Sequence, residues 1–438
     1  MSAPTASTAP TAAAAAAAGP VTADTAQAAP AARGLRALTA YRIVSRAYFH
    51  LPVMFVFLFR GHLPVLGIES LMALYGLTVA VAPLLLRRPT RKLSLRGQLL
   101  VGESVKVAGL LCLALGPNLP TALAGQILSG AGFALTAGTD SALLSTLTRG
   151  GDFARREAVT QGWMFAGSFA AGTCGALAFA HGQRLPFALS GLAAIAALGC
   201  LAALRTDPPA PVPAPAPVPA PVPTPAAAPA AATSVPDKPV AAKSAPVPSA
   251  ARFWQWYYAL NRAFLLAPYV GFIPYLLVSR LHLGLSWFGA VLGLYTLSGF
   301  AAARLSPRLM KRISEPRRLA FVPAVLTAGG LALLAGPNLG FALVAIIALG
   351  LAGGFIRPTA MANLEPHLQA LDPAGRRAMT GRMEQHQAIW SAVLLVAGGL
   401  LLPVVSLPQL FLALAGVNLL VQGVVLAGSR RADRTTTA

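Results

Sequence analysis

Arg42, Arg46 and His50 recur every fourth residue in a stretch, Tyr41–Phe59, that is otherwise mostly apolar. On one continuous helix that spacing puts all three on a single face. Arg46 lies 14 residues before Arg60, ~21 Å along a helix, so it is carried well inside the run. A guanidinium there can hold a carboxylate or phosphate through two parallel hydrogen bonds. Arg262, in the run Phe253–Val278, is its counterpart, and the pair would form a two-sided anion clamp. The alternative is that both arginines reach back to the edge of the run along their apolar stems. Arg262 lies 18 residues before Arg280, ~27 Å by the same rise, close to that edge. Histidine titrates near neutral pH, so His50 is either a ligand of the same site or a packed, hydrogen-bonded residue. Glu103 and Lys106 stand three apart in another apolar run and can neutralise each other. The second reading of that pair is proton coupling, with Glu103 as carrier, a role intramembrane carboxylates often take. Arg357-Pro358 is expected to kink its helix, as a gate or for packing.

Other chemistries lack their residues. The six histidines are scattered, with no His-Glu-x-x-His pair, and no phosphate-binding Gly-x-x-x-x-Gly-Lys-Ser/Thr loop occurs. Cys112, Cys174 and Cys200 lie far apart inside apolar runs, as small buried residues rather than metal ligands or a disulfide framework. No cofactor, no metal and no enzyme activity is expected.

The elements that hold these residues are set by composition. Of 438 residues 56% are hydrophobic and 11% charged, against about 25% charged in soluble chains. Many runs reach the ~20 apolar residues that carry a helix across ~30 Å of hydrocarbon. The spacing predicts an all-α integral membrane protein of twelve spans, six between Tyr41 and Leu204 and six between Phe253 and Ala427. The net charge of +21 suggests nucleic acid only until it is located. Apart from Arg46, Lys106, Arg262 and Arg357 within the spans, every Lys and Arg but Arg60, Arg184 and Arg280 falls on one side. That asymmetry places both termini in the cytoplasm of a multi-pass plasma-membrane protein. Its partners are then the lipid bilayer and a small-molecule substrate, with no nucleic acid, and the chain works as a monomer. The divisions are a disordered cytoplasmic tail (1–34), a six-helix half (35–205), a Pro/Ala-rich linker (206–251), a second six-helix half (252–429) and a short tail (430–438). The linker's Pro-Ala and Pro-Val repeats favour an extended, stiff tether. The 1–34 segment has no basic start before its alanines, so it is not read as a secretory signal. Trp254, Trp256, Tyr257 and Tyr258 open the seventh span and are expected to form an interfacial aromatic belt.

The halves match each other. At an offset of about 220 residues, Leu115-Gly116-Pro117-Asn118-Leu119 meets Ala335-Gly336-Pro337-Asn338-Leu339, and Arg60-Gly61-His62-Leu63 meets Arg280-Leu281-His282-Leu283. Leu74-Tyr75 meets Leu294-Tyr295, and, with a four-residue slip, Arg46-Ala47-Tyr48 and Pro52 meet Arg262-Ala263-Phe264 and Pro268. Two units in the same sense imply a pseudo-two-fold axis along the membrane normal, with solute held between them near the midplane.

Six spans, a linker and six more spans over Leu35–Gly428 resemble the major facilitator superfamily. The glycine-rich stretch Gly125–Ala134 is similar to that family's fourth helix, and Gly138-Thr139-Asp140-Ser141-Ala142-Leu143 to a stretch of its bacterial drug-exporter-like members. Arg376-Arg377-Ala378-Met379 resembles the loop entering its eleventh span. The resemblance implies alternating access between two halves, with export of a small organic solute, possible proton coupling, and gating by a signature loop after the second span. Here that loop keeps only basic residues, Arg87, Arg88, Arg91 and Lys92, and lacks the family's aspartate; the second half keeps Arg304, with Ala303 at the aspartate position. By the same resemblance Asp140 pairs with the basic loop to lock the inner gate. Import of an anionic metabolite, motivated by Arg46 and Arg262, is the rival reading, and a non-transporting receptor or scaffold on the same fold is the third.

Overall fold

A computed structural model describes residues 21–90, 92–116, 118–148, 152–204, 249–313 and 316–436. The first 20 residues, Arg91 and the linker from 205 to 248 lie outside the described residues. The first half contains α1 (Val21–Val44), α2 (Leu51–Arg60), α3 (Val65–Leu85), α4 (Arg87–Thr90), α5 (Leu95–Leu115), α6 (Leu119–Thr136), α7 (Thr139–Leu147), α8 (Phe153–His181) and α9 (Leu185–Ala203). The second contains α10 (Ser249–Ala267), α11 (Ile273–Tyr275) between π-helical turns at Pro268–Phe272 and Leu276–Arg280, α12 (Leu285–Arg312), α13 (Pro316–Leu334), α14 (Leu339–Gln369), α15 (Pro373–Leu401) and α16 (Leu407–Thr436). α1 thus begins at Val21 and α16 runs on to Thr436.

Among the described residues nine helices are long and apolar enough to cross a membrane. Three of the twelve expected spans depart from that measure, each for a visible reason. The first is broken between α1 and α2, the ninth offers only the short apolar stretch Arg318–Leu334, and the eleventh, α15, enters through Arg376, Arg377, Arg382 and Glu384. Large apolar side chains stand out on the surface, among them Leu84 (71% exposed) and Val424 (66%). Surface of that kind is at home against lipid rather than water.

The repeat read in the sequence has structural counterparts. Asn118 and Asn338 both cap a helix, their side chains accepting the backbone N–H of Thr121 at 3.0 Å and Phe341 at 3.3 Å. His62 and His282 both turn the chain with a left-handed backbone, φ +62° and +47°, and among the described residues no other non-glycine does so. Left-handed geometry is uncommon for side-chain-bearing residues, so its recurrence at matched positions reflects one turn used twice.

The first span does not run as the single helix expected over Tyr41–Phe59. Pro52 has no N–H to offer the preceding turn, and its ring crowds the carbonyl four residues back, so the helix restarts at Leu51. Freed backbone groups inside a bundle need partners from the protein itself. Lys106 donates to the Ser45 carbonyl (3.2 Å), Ser168 to the Arg46 carbonyl (3.1 Å), and the His50 N–H finds the Ser190 hydroxyl (3.2 Å). At the matched proline of the second half, Pro268, the helix bulges into a π turn instead of parting.

Across the halves α8 packs along α12 and α3 along α15. The unwound segment lies against α8 at Gly175, where an added Cβ would collide with the Phe49 carbonyl. Gly175→Ala is therefore expected to destabilise the fold by about 1–3 kcal/mol through overpacking. Gly199→Ala, which meets nothing within 4 Å, should leave the melting temperature in detergent unchanged. Equal melting of the two variants would contradict the packing described.

Candidate functional site

A cavity of about 280 Å³ lies between the halves and is lined from both. Its wall carries Arg46, Lys106, Arg262 and Arg357 but a single carboxylate, Glu384. The rest is aromatic and amide-rich, with Tyr75, Phe133, Tyr269 and Tyr295 facing Gln126, Gln161 and Gln387.

Two of the cations are already matched. Lys106 pairs with Glu103 at 2.8 Å, and the Tyr41 hydroxyl donates to the same carboxylate at 3.0 Å. Arg357 belongs to a buried network that joins the halves. Its Nε meets Glu157 of α8 at 2.8 Å, its Nη1 pairs with Glu384 of α15, and its Nη2 donates to Ser141 of α7 at 2.8 Å. The Tyr258 hydroxyl donates to Glu384 at 2.8 Å. Arg42 completes the network, holding Glu157 with two parallel bonds of 2.8 and 2.9 Å and Asp140 at 3.1 Å. Arg42 and Glu157 are almost wholly shielded, so each charge depends on the others. The other two cations are different. Arg46 lies over the Phe133 ring, 4.6 Å from its centroid, and no carboxylate pairs with it among the described residues. Arg262 sits beside the Tyr295 hydroxyl with a buried Nε that no acceptor reaches.

Several sequence expectations are corrected here. Arg42, Arg46 and His50 do not share a helix face, because the chain unwinds between the first and the last of them; Arg42 turns into the network while Arg46 and His50 line the cavity. His50 is packed 5.4 Å from the Phe187 ring and bonded to Ser190 at 2.8 Å. Asp140 pairs with Arg42, and among the described residues no ion pair joins it to the basic loop. In that loop Arg88 is exposed and Arg87 opens α4. Arg304 is exposed too, its guanidinium 5.1 Å from the Trp163 ring on the opposite half. Of the expected aromatic belt only Trp256 is exposed; Tyr257 and Tyr258 are buried. Cys174 is exposed and Cys112 and Cys200 are half-buried, so none is a core residue.

Glu157 and Glu384 carry the network, yet the sequence pattern does not single them out, because each falls just before the apolar run of its span. The helices are longer than those runs: α8 and α15 have 29 residues each. Acidic residues are only 13 in the whole chain, and that scarcity was the available signal.

The halves also touch on both sides of the cavity. Towards the termini, Arg377 donates to Gln98 at 2.6 Å and Thr380 to the Gly138 carbonyl at 3.0 Å. Gly138 has φ +73° and no room for a side chain against Thr380. On the far side the Phe55 and Tyr275 rings lie 6.0 Å apart.

A bundle of membrane-crossing helices around a polar cavity between two like halves defines a membrane transporter. The chain belongs to the Major Facilitator Superfamily, whose family model matches residues 43–370. Comparison with curated proteins gives no match. Among solved structures it is similar to the human organic anion transporter MFSD10 (TETRAN), at TM-score 0.67 and 14% identity over 90% of this chain and 99% of that one. It is also similar to a POT family transporter in complex with a thioalcohol conjugated peptide, at TM-score 0.67 and 13% identity over 91% and 96%. The nucleoside transporter NupG aligns at TM-score 0.59 and 13% identity over 91% and 98%. At these identities the likeness is one of fold.

Removing one member of the network strands its partners. Arg42→Ala leaves Asp140 and one side of Glu157 uncompensated, at an expected cost of about 3–5 kcal/mol, seen as a lower melting temperature and lower folded yield. Arg42→Gln together with Asp140→Asn should recover part of that loss. Wild-type stability of the single variant would show that the network is not structural.

Proposed function

We propose that the protein carries a small organic anion across the cell membrane by alternating access, with Arg46 and Arg262 holding the anionic group. The observation that carries this reading is the pair of cavity arginines without a carboxylate partner, in a wall where the other cations are matched. An unmatched charge at membrane depth is costly and is retained where a ligand or ion completes it. The aromatic remainder of the wall suits an apolar or aromatic body attached to that group. A structural relative described as an organic anion transporter is in keeping with this. The chain works as a monomer on this reading, since one chain supplies both halves of the cavity.

The side carrying the termini is proposed to be cytoplasmic, from the basic loops. The network of Arg42, Asp140, Glu157, Arg357 and Glu384 then serves as the inner gate, standing in for the missing signature-loop aspartate. Opening inward would part Arg357 from Glu157, since these belong to opposite halves. Export, proposed from the fourth-span likeness, and import share this site and differ only in the driving gradient. Everted and right-side-out vesicles separate them.

Binding of aromatic carboxylates and organic phosphates to the purified protein, followed by thermal shift, tests the anion site. Arg46→Ala is expected to weaken the best ligand by about 10- to 100-fold, the loss of a charge-assisted hydrogen bond. Arg46→Lys should retain part of the affinity. Unchanged affinity in Arg46→Ala would end the assignment.

A further inference from the structure

Glu69 is buried in α3, and neither of its carboxylate oxygens has a hydrogen-bond partner among the described residues. It stands on the seam between the halves. Both oxygens press against Gly271, in the π-helical turn of the seventh span, where an added Cβ would collide with them. On α15, a Cβ added to Gly399 would come within 3.3 Å of the Glu69 Cβ. Met72, Val270 and Leu395, each within a turn of these contacts, line the cavity. Glu69 therefore sits just beyond the cavity, on the side away from the inner network.

Among the described residues its surroundings offer no counter-charge. Its own helix has Tyr75 as its only other titratable side chain, and the seventh span presents Tyr269 and Tyr275 between Arg262 and Arg280. On α15 there is none between His386 and Leu401. Arg60, at the end of α2, lies over the Phe179 ring, 5.7 Å away. Burying an unpaired carboxylate ion costs several kcal/mol, whereas the neutral acid costs far less. A seat this tight, formed by a glycine on one half and an acid on the other, admits the acid only without its charge. π turns recur at functional sites, and this one begins at Pro268, the match of Pro52, where the helix of the first half restarts.

We propose that Glu69 is the proton site of this transporter, holding a proton while the outer ends of the halves are together and releasing it when they part. On opening, the carboxyl O–H bond breaks, its electron pair stays on the oxygen and the proton passes to a water molecule. The carboxylate is then hydrated and cannot return to the seat until it takes up a proton again. This assignment replaces Glu103, whose carboxylate is already held by Lys106 and Tyr41. It rests on the alternating-access reading but needs no solute for its test.

Spin labels on Leu119→Cys and Leu339→Cys, matched outer helix starts that are exposed in both halves, report the outer distance. The background carries Cys112→Ser, Cys174→Ser and Cys200→Ser, in lipid nanodiscs. As pH rises the wild-type ratio of short to long distance should fall, by at most about tenfold per pH unit, as one linked proton requires. Glu69→Gln should stay short at every pH, and Glu69→Asp should still respond. Gly271→Ala, which wedges the seat, should populate the long distance even at low pH. A Glu69→Gln response equal to wild type, or no response in wild type, would overturn the proposal. Because no solute is present, a wrong solute class would fail the binding assay and leave this result as it is.

Discussion

Inside hydrocarbon, a polar group is satisfied by the protein or not at all. That constraint explains where this structure is irregular and where it is charged. The first span can unwind at Ser45–His50 because Lys106, Ser168 and Ser190 reach its freed backbone from three other helices. Unwinding in turn aims Arg46 into the cavity, where a continuous helix would have placed it beside Arg42. Lys106 does two things at once, neutralising Glu103 and holding the Ser45 carbonyl.

The same constraint divides the buried charges into three kinds. Some are closed among themselves within a half, as Glu103 with Lys106. Others are closed both within and across the halves: Glu157 meets Arg42 and Arg357, Arg357 meets Glu384 as well, and the Arg357–Glu157 contact must part if the halves rock. The rest are open: Arg46 and Arg262 in the cavity, Glu69 on the seam. When the Arg357–Glu157 contact breaks, Glu157 keeps Arg42 and Arg357 keeps Glu384, and only the freed hydrogen-bonding positions need water, which ties the gate to cavity hydration. On the reading proposed above, the open charges are where something from outside the chain is needed, an anion for the arginines and a proton for the carboxyl.

Much of the fold was legible because the bilayer imposes a coarse length on apolar runs and a side on basic loops. The repeat was legible through its turns, since Asn118 and Asn338, or His62 and His282, perform the same backbone task and the residue type records it. The break in the first span was not. Its spacing of Arg42, Arg46 and His50 is helical, and only Pro52 disagreed. The network was half-hidden for a different reason. Arg357 and Asp140 stood out by sequence, but their partners Glu157, Arg42 and Glu384 lie 20 or more residues away or on the other half, and pairing over that range is set by helix packing. Glu69 had no pattern to announce it at all. A lone acid in an apolar run becomes informative once its neighbours are known to be glycines.

The central claim is that one cavity between the two halves opens in turn to each side of the membrane. A membrane-impermeant thiol reagent, applied from one side or the other to Ser129→Cys and Ser391→Cys, tests it most directly, since these cavity residues come from opposite halves. The account predicts that each cysteine reacts from both sides, and that a cross-link joining Gln98→Cys to Arg377→Cys abolishes reaction from the terminal side alone. Reaction from a single side whatever the cross-link would mean a fixed pocket, and alternating access would be wrong.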